Sequence, residues 1–486
     1  MDFFKPSFLF LFLPITIIAH TLVKEKYRNS IALITSLIFY ASGSLIYLPI
    51  ILLSSITNFY LGHFIDTNNK DNKQTRKRNS TLIWGIVFNI ALLFLFKLIS
   101  QYSSINFFSI FSGSYQSSLG NIAVPLGLSY ITFQNIAYLV DISNGIISSE
   151  NKFVNYFLFI IFFPKIITGP IVLYQQVNEQ IQHRNLEVEK IAKNARRFII
   201  GLAKKVLIAD IIAQTINPSL NLASPDFSSG TAWFLLIGYT IQIYFDFSGY
   251  ADMALGLAGM MGFSFLENFN FPYIAESITD FWRRWHISLS NWVREYIFIP
   301  LEFNRRKSKF FRQQVDFLVT FLLTGLWHGP TTNFIIWGAI HGLAMGVESG
   351  FLSKFLKKTW KPLRHIYTLS IVMLGWVFFR PETTSYSIKF LGRLFGLGSP
   401  TAILPYNLTA PLPIIDTSVW IAIGLGILFS IPVFSKRKGV PSVAVEKPNL
   451  TRISFVIRDV IIMILFLLSI ASIASNGYVG SIYGNF

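Results

Sequence analysis

Long apolar runs separated by short polar loops are the first pattern along this chain. Runs over residues 7 to 23, 31 to 43, 46 to 64, 82 to 99, 121 to 141, 198 to 216, 231 to 247, 366 to 380, 417 to 434 and 453 to 475 predict membrane-crossing helices. Several fall short of the roughly 20 residues a straight span requires, so tilted, kinked or half-length helices are expected. Neither strand alternation nor a repeat of fixed period is visible. The pattern divides one integral membrane domain, 1–486, into three stretches. Residues 1–120 read as plain helical hairpins, 121–350 as a core with polar interruptions, and 351–486 as amphipathic and transmembrane helices. The first run begins next to Met1 and has neither a charged leader nor a small-residue cleavage site before Lys24, so it is expected to be a retained helix.

The interruptions have a direction. Val124-Pro125-Leu-Gly127-Leu-Ser129-Tyr130, with Gln134 beyond it, places breakers and polar groups inside apolar sequence. Phe163-Pro164-Lys165-Ile-Ile-Thr168-Gly169-Pro170 does the same, and proline both removes a helix donor and clashes with the preceding turn. Irregular backbone at membrane depth survives only where protein or a water-filled cavity covers it, so a re-entrant or in-plane element is expected there. Residues 174 to 197 are polar and mixed in charge, as in a cytoplasmic segment. Phe355, Leu356 and Trp360 among the lysines of Ser353 to Arg364 predict an amphipathic helix at the membrane surface.

Composition changes little in this picture and charge adds an orientation. Of 486 residues, 52% are hydrophobic and 13% charged, too apolar for an ordinary soluble enzyme. The net charge of +17 could suggest nucleic acid, but its basic residues sit in short loops. They cluster at Lys24 to Arg28, Lys70 to Arg78, Arg305 to Arg312, Lys354 to Arg364 and Lys436 to Lys438, and alternate with long stretches free of Lys and Arg. That is the positive-inside pattern; it places the basic loops in the cytoplasm and both termini outside. With no cysteine in the chain, a thiol nucleophile, a thiolate metal site and disulfides are excluded.

Three constellations could carry chemistry. In Tyr244-Phe-Asp246-Phe-Ser248-Gly249-Tyr250-Ala-Asp252, two acids lie in a region without Lys or Arg, so they must be neutral, hydrogen-bonded or wet. Six residues apart on an unbroken helix they face different ways, which argues against a shared metal. Hydrogen bonding to backbone freed near Gly249, or to Trp and His donors, is the alternative to a direct role. The second is Asp280-Phe-Trp-Arg283-Arg284-Trp285-His286-Ile-Ser288, where two arginines suit an anionic ligand but Trp with Arg is also common at a membrane interface. The third is Thr324-Gly-Leu-Trp327-His328-Gly-Pro330, followed by Trp337-Gly-Ala-Ile-His341-Gly342. Some 16 residues separate Arg312 from His328, about 24 Å of helix, so His328 lies deep. The chain then turns at Gly329-Pro330 and returns through His341, for which packing or hydrogen bonding is the expected role. His20 and His63 read as interfacial and His183 as solvated. No HExxH or comparable spacing is present, so no metal is expected.

These motifs resemble the membrane-bound O-acyltransferase superfamily, in particular the bacterial branch of alginate and peptidoglycan O-acetyltransferase membrane subunits. The resemblance rests on Val124 to Gln134, Phe163 to Ile171, Ile243 to Phe263, Glu267 to Tyr273, Phe281 to Leu301 and Leu323 to Gly342, in order. It departs at Pro330-Thr331-Thr332-Asn333 and in the glycine-rich Asn476 to Phe486. It implies an all-α polytopic fold of about 10–12 transmembrane or re-entrant helices around a central tunnel.

The resemblance also implies that acetyl-CoA or another cytoplasmic thioester is the donor, with no permanently bound cofactor. The catalytic pair would be His328, as base, and His286, orienting the thioester or donating to the oxyanion. Arg283, Arg284, Trp285, Asp246, Trp327 and His341 would line the substrate site. The expected acceptor is a hydroxyl of a cell-envelope polysaccharide or exopolysaccharide, reached directly or through a separate extracytoplasmic transferase, at the bacterial inner membrane. Two alternatives stay open: D-alanyl transfer to teichoic acid from an acyl carrier protein, and a transporter or proton-coupled channel with Asp246, Asp252, His286 and His328 as a polar pathway.

Overall fold

The computed structural model describes residues 2–70, 75–102, 124–306, 312–381, 383–398, 416–433, 452–477, 479, 480 and 482. The basic residues Lys73, Lys307, Lys309 and Lys436 to Lys438, and much of the Asn476 to Phe486 segment, lie outside the described residues. No strand occurs among the described residues. Four stretches, Glu25–Asn69, Thr75–Ser100, Lys361–Phe379 and Phe455–Ser475, are long and apolar enough to cross a bilayer. The chain forms two compact units: Met1–Phe198 with Met253–Leu266 and Tyr483–Phe486, and Ile199–Asp252 with Glu267–Ile482.

The first unit carries α1 (Leu13–Leu22), α2 (Glu25–Ser44), α3 (Leu48–Lys70), α4 (Thr75–Tyr102), α5 (Leu128–Ser143), α6 (Phe153–Ile161), α7 (Phe163–Ile166), α8 (Asn178–Gln182) and most of α9 (Val188–Ala203). Buried asparagines join its helices. Asn58 of α3 and Asn89 of α4 exchange hydrogen bonds of 3.1 and 2.7 Å, Asn135 of α5 donates to Asn89 at 3.1 Å, and Tyr156 of α6 donates to Asn135 at 2.8 Å. In lipid such bonds substitute for the hydrophobic force that packs soluble helices. The break expected near Pro164 is present: α6 ends at Ile161, and α7 lasts four residues before non-helical backbone begins. The Phe163 amide at this break donates to Ser36 Oγ of α2 at 3.1 Å. Gly127 (φ +72°) lies so close to the Ile166 carbonyl that a Cβ would overlap it, which fixes the loop before α5 against α7. His20, expected at an interface, is instead fully buried, while His183 is solvated as expected.

The second unit holds α10 (Ile211–Leu220), most of α11 (Ser229–Met260), α12 (Ile278–Trp282), α13 (Ile287–Val293), α14 (Ile299–Asn304), α15 (Arg312–His328), α16 (Thr332–Val347), α17 (Ser353–Lys358), α18 (Lys361–Phe379), α19 (Thr384–Leu394), α20 (Thr417–Phe429) and α21 (Arg452–Asn476). The helical hairpin expected around Gly329-Pro330 forms as α15 and α16. Its two helices touch along a glycine seam: a Cβ on Gly338, Gly342 or Gly346 would press into the backbone at Phe321, Leu318 or Gln314. Two expectations need correction. The run at 231 to 247 continues unbroken to Met260, so no backbone is freed near Gly249; that glycine serves close approach to the Gly201 carbonyl. The amphipathic stretch Ser353 to Arg364 is not one helix, because Thr359 and Trp360 adopt extended backbone between α17 and α18, and Pro362 sits in the first turn of α18.

Candidate active site

The unbroken α11 explains its two acids. Asp246 and Asp252 do face different ways, and each meets a lysine from the π-helical stretch Lys204–Asp210. Lys205 Nζ lies 2.7 Å from Asp246 and 2.5 Å from Asp210, and donates to the Val479 carbonyl at 2.9 Å. The Ile482 amide donates to the second Asp246 oxygen at 2.8 Å, and Lys204 pairs with Asp252 at 2.6 Å. Lys205, Asp210 and Asp246 are all buried. Asp246 thus joins the π-helical stretch, α11 and the Ile482 amide, and its carboxylate is committed to protein groups. The acids are ion-paired, an arrangement not among those weighed from sequence.

His286 stands between α12 and α13 at φ +43°, one of two non-glycine residues with positive φ among those described. This backbone conformation costs of order 1–3 kcal/mol and persists only when its surroundings hold it. Here the holder is Asn268. Its Oδ1 lies 3.2 Å from His286 Nδ1 and accepts from the Ser288 amide at 3.1 Å and the Ser288 hydroxyl at 2.8 Å. An amide oxygen can only accept, so Nδ1 carries a proton, and in the neutral form of the ring Nε2 then presents a lone pair. That atom is buried and has no hydrogen-bond partner among the described residues. It is therefore equipped to accept a hydrogen bond from a ligand, and a neutral ring cannot donate from it to an oxyanion. The ring edge rests on Phe247, with centroids 4.7 Å apart.

His328 is the last residue of α15 and sits in an aromatic box. Its ring meets Trp337 and Phe379 edge-on at 5.4 and 5.0 Å, lies near parallel to Phe334 at 5.7 Å, and contacts Trp327 at 4.5 Å. Trp337 continues to His341 at 5.1 Å. His341 accepts from Trp282 Nε1 at 3.4 Å, is fully buried, and lies against Gly375, where a Cβ would crowd its Nε2. The histidines of α15 and α16 therefore share a tryptophan. His286 connects to them through further rings, for example by way of Phe247, Trp285, Trp376 and Phe379.

A cavity of about 190 Å³ opens beside this slab. Its walls include Trp282 and Arg283, Ser290 and Arg294, and Phe321 and Thr324. Thr324 is one turn before His328 on the same face of α15. The lining is largely apolar with arginines among it, suited to an amphipathic ligand carrying an anionic group. The two sequence-adjacent arginines separate. Arg283 is exposed and lines the cavity, whereas Arg284 Nε is held by both Asp280 oxygens at 3.0 Å and its Nη1 donates to the Asn270 carbonyl at 3.3 Å. Trp285 is core, nearly parallel to Phe281 at 5.5 Å and buried. In the next basic cluster Arg305 pairs with the fully buried Asp316 at 2.7 Å and Arg312 with Glu302 at 3.4 Å.

Arg294 lines the cavity and Asn268 holds His286, and neither was singled out from sequence. Arg294 sat inside a quoted block, and Asn268 in the Glu267 to Tyr273 block, but neither had a local signal of its role.

Comparison with known proteins agrees with the motif reading. The family model described as MBOAT, membrane-bound O-acyltransferase family, matches residues 142–381. A probable alginate O-acetylase of Pseudomonas aeruginosa is 38% identical over 400 residues, covering 82% of this chain and 76% of the relative. A peptidoglycan O-acetyltransferase of Helicobacter pylori is 34% identical over 430 residues, 81% of this chain and 80% of the relative. A teichoic acid D-alanyltransferase of Bacillus subtilis is 30% identical over 267 residues, but covers 53% of this chain and 67% of the relative.

Proposed function

The chain belongs to the membrane-bound O-acyltransferase family and is a multi-pass membrane O-acyltransferase, and from that premise we propose that it carries an acetyl group from cytoplasmic acetyl-CoA to a hydroxyl of a cell-envelope polysaccharide or exopolysaccharide. The acceptor class follows the names of the relatives that cover most of the chain, an alginate O-acetylase and a peptidoglycan O-acetyltransferase. D-alanyl transfer is the second reading, supported by a relative matching about half of the chain. As an enzyme of this family it is not read as a transporter.

The observation that carries the mechanism is the place of His328: the end of α15, in an aromatic box, one turn beyond a threonine that lines an arginine-bearing cavity. In this reading the thioester enters the cavity with its anionic part against Arg283 and Arg294. His328 takes the proton of the acceptor hydroxyl, whose oxygen attacks the thioester carbonyl; the new ester C–O bond forms, the C–S bond breaks, and the thiolate leaves, taking the proton back from the imidazolium as the free thiol. The partial negative charge at the C-terminus of α15 favours the imidazolium formed on the way. His286, with its lone pair at Nε2, accepts from an amide N–H of the donor arm and orients the thioester. Basic loops in the cytoplasm, termini outside, the bacterial inner membrane and a separate extracytoplasmic transferase complete the proposal; the charge alternation supports the orientation.

The test is His328→Ala in protein reconstituted in lipid, supplied with labelled acetyl-CoA and, separately, with a charged acyl carrier protein. Loss of a general base is expected to slow transfer roughly 10²–10⁴-fold. Undiminished transfer by a folded variant refutes the role of His328, and activity only with the carrier protein replaces the donor.

A further inference from the structure

One buried acid in the second unit has no part in the mechanism above. Glu348 follows the last turn of α16 and is 3% exposed. Among the described residues no lysine or arginine forms an ion pair with it. Four hydrogen bonds converge on it instead. The amides of Ile278 and Thr279 donate at 2.6 and 2.9 Å, the Thr279 hydroxyl at 2.7 Å, and the Tyr367 hydroxyl at 3.2 Å. The first three come from the opening turn of α12, whose amides have no helical partner of their own. A carboxylate is suited to that place, since it accepts through both oxygens and complements the positive end of the peptide dipoles.

Both ends of this contact reach the cavity. Thr279 is one of its walls, and Met345, three residues before Glu348 on α16, is another. At its far end α12 delivers Trp282 and Arg283 to the same cavity, and Trp282 is tied back to α16 through His341. A helix of five residues cannot hold its own place, because it has too few internal bonds to offset its nucleation cost. Its position depends on packing against its neighbours, and among these contacts two tie it to the α16 segment: the Trp282–His341 bond at one end and the three hydrogen bonds to Glu348 at the other.

We propose that Glu348 is the positioning residue for the acyl donor, clamping the start of α12 so that Trp282 and Arg283 form the donor wall of the cavity. The proposal rests on the reading that this cavity receives the donor. Glu348 touches no reacting atom; it acts through α12.

The chain has no cysteine, so Ile278→Cys gives a single, buried reporter at the clamp. A maleimide is expected to label Ile278→Cys slowly, and at least tenfold faster when Glu348→Gln is added, because the amide nitrogen of glutamine faces a backbone donor. Equal labelling rates overturn the clamp. In the cysteine-free protein, Glu348→Gln is expected to raise KM for acetyl-CoA about tenfold with kcat within threefold. A purely structural role would lower the active fraction and leave KM alone, and that result overturns the proposal. Tyr367→Phe removes one hydrogen bond to Glu348 at a residue outside the cavity wall and is expected to raise KM about twofold, which keeps the test open should the glutamine variant not accumulate. Thr324→Phe fills the cavity and separates the two layers of the argument. If it leaves KM unchanged, the cavity is not the donor site and the proposal falls with that reading. If it raises KM while Glu348→Gln does not, the donor site stands and the role of Glu348 alone is refuted.

Discussion

Removing the Asn268 side chain tests how His286 is held. Asn268→Ala deletes one oxygen that receives three donors, from His286 Nδ1, the Ser288 amide and the Ser288 hydroxyl. Each buried donor left without a partner costs about 1–3 kcal/mol. The hydroxyl can rotate toward another acceptor and a water can enter the vacated space, so a total of roughly 2–5 kcal/mol is expected. The strained backbone at His286 loses its holder at the same time. With nothing to fix the proton on Nδ1, the ring can present Nε2–H to the donor instead of a lone pair, and transfer should fall roughly 10–10²-fold, as when an orienting partner of a histidine ligand is lost. Two measurements are needed: unfolding in detergent and acetyl transfer under single-turnover conditions. Ser288→Ala is the companion, because it removes the hydroxyl bond and leaves the His286 bond intact; its rate should stay within about threefold of the parent. An Asn268→Ala protein with parental stability and rate would refute both the tautomer assignment and the role of His286.

Two further predictions follow from the ion pairs. Lys205→Met leaves Asp210 and Asp246 buried without their cation and should destabilise the protein by about 3–5 kcal/mol, read as a shift in chemical denaturation; adding Asp246→Asn should recover part of it, and a Lys205→Met midpoint equal to the parent's would show that the cluster is not load-carrying in this way. The adjacent arginines should part in kinetics: Arg283→Gln is expected to raise donor KM roughly tenfold, the loss of one charge-assisted bond, whereas Arg284→Gln should cost about 0.2–1 kcal/mol of stability through its half-exposed pair with Asp280 and leave KM unchanged.

The hairpin that carries His328 was legible because its cues are local: an apolar run of helix length from Arg312, then Gly329-Pro330, then a second run. So was the placing of Asp246 and Asp252 on different faces of one helix, which needs only helical geometry. Their partners were not. Lys204 and Lys205 precede the acids by some 40 residues and lie just before the cation-free stretch that made the acids look stranded. The distinction between Arg283 and Arg284 could have been drawn, since Asp280 stands four residues before Arg284 and helical neighbours at that spacing pair. Asn268 and Glu348 act across 18 and about 70 residues of chain, and no pattern of spacing reports a contact of that kind. The same applies to the break at Thr359 and Trp360, where a run of apolar and basic residues satisfied the amphipathic pattern although Pro362 already marked the first turn of a new helix.

The glycine seam between α15 and α16 has a mechanical consequence. Helices that interlock backbone to backbone at Gly338, Gly342 and Gly346 cannot slide past one another without steric conflict or part without losing close contacts, so the hairpin behaves as a strut of fixed length, about 24 Å from Arg312 to His328. A thinner or thicker bilayer cannot be met by stretching it. The lipid must deform around the strut, or the strut must tilt as a whole. The enzyme thereby measures depth with a rigid ruler, and its histidine keeps its distance from the basic end of the hairpin whatever membrane surrounds it.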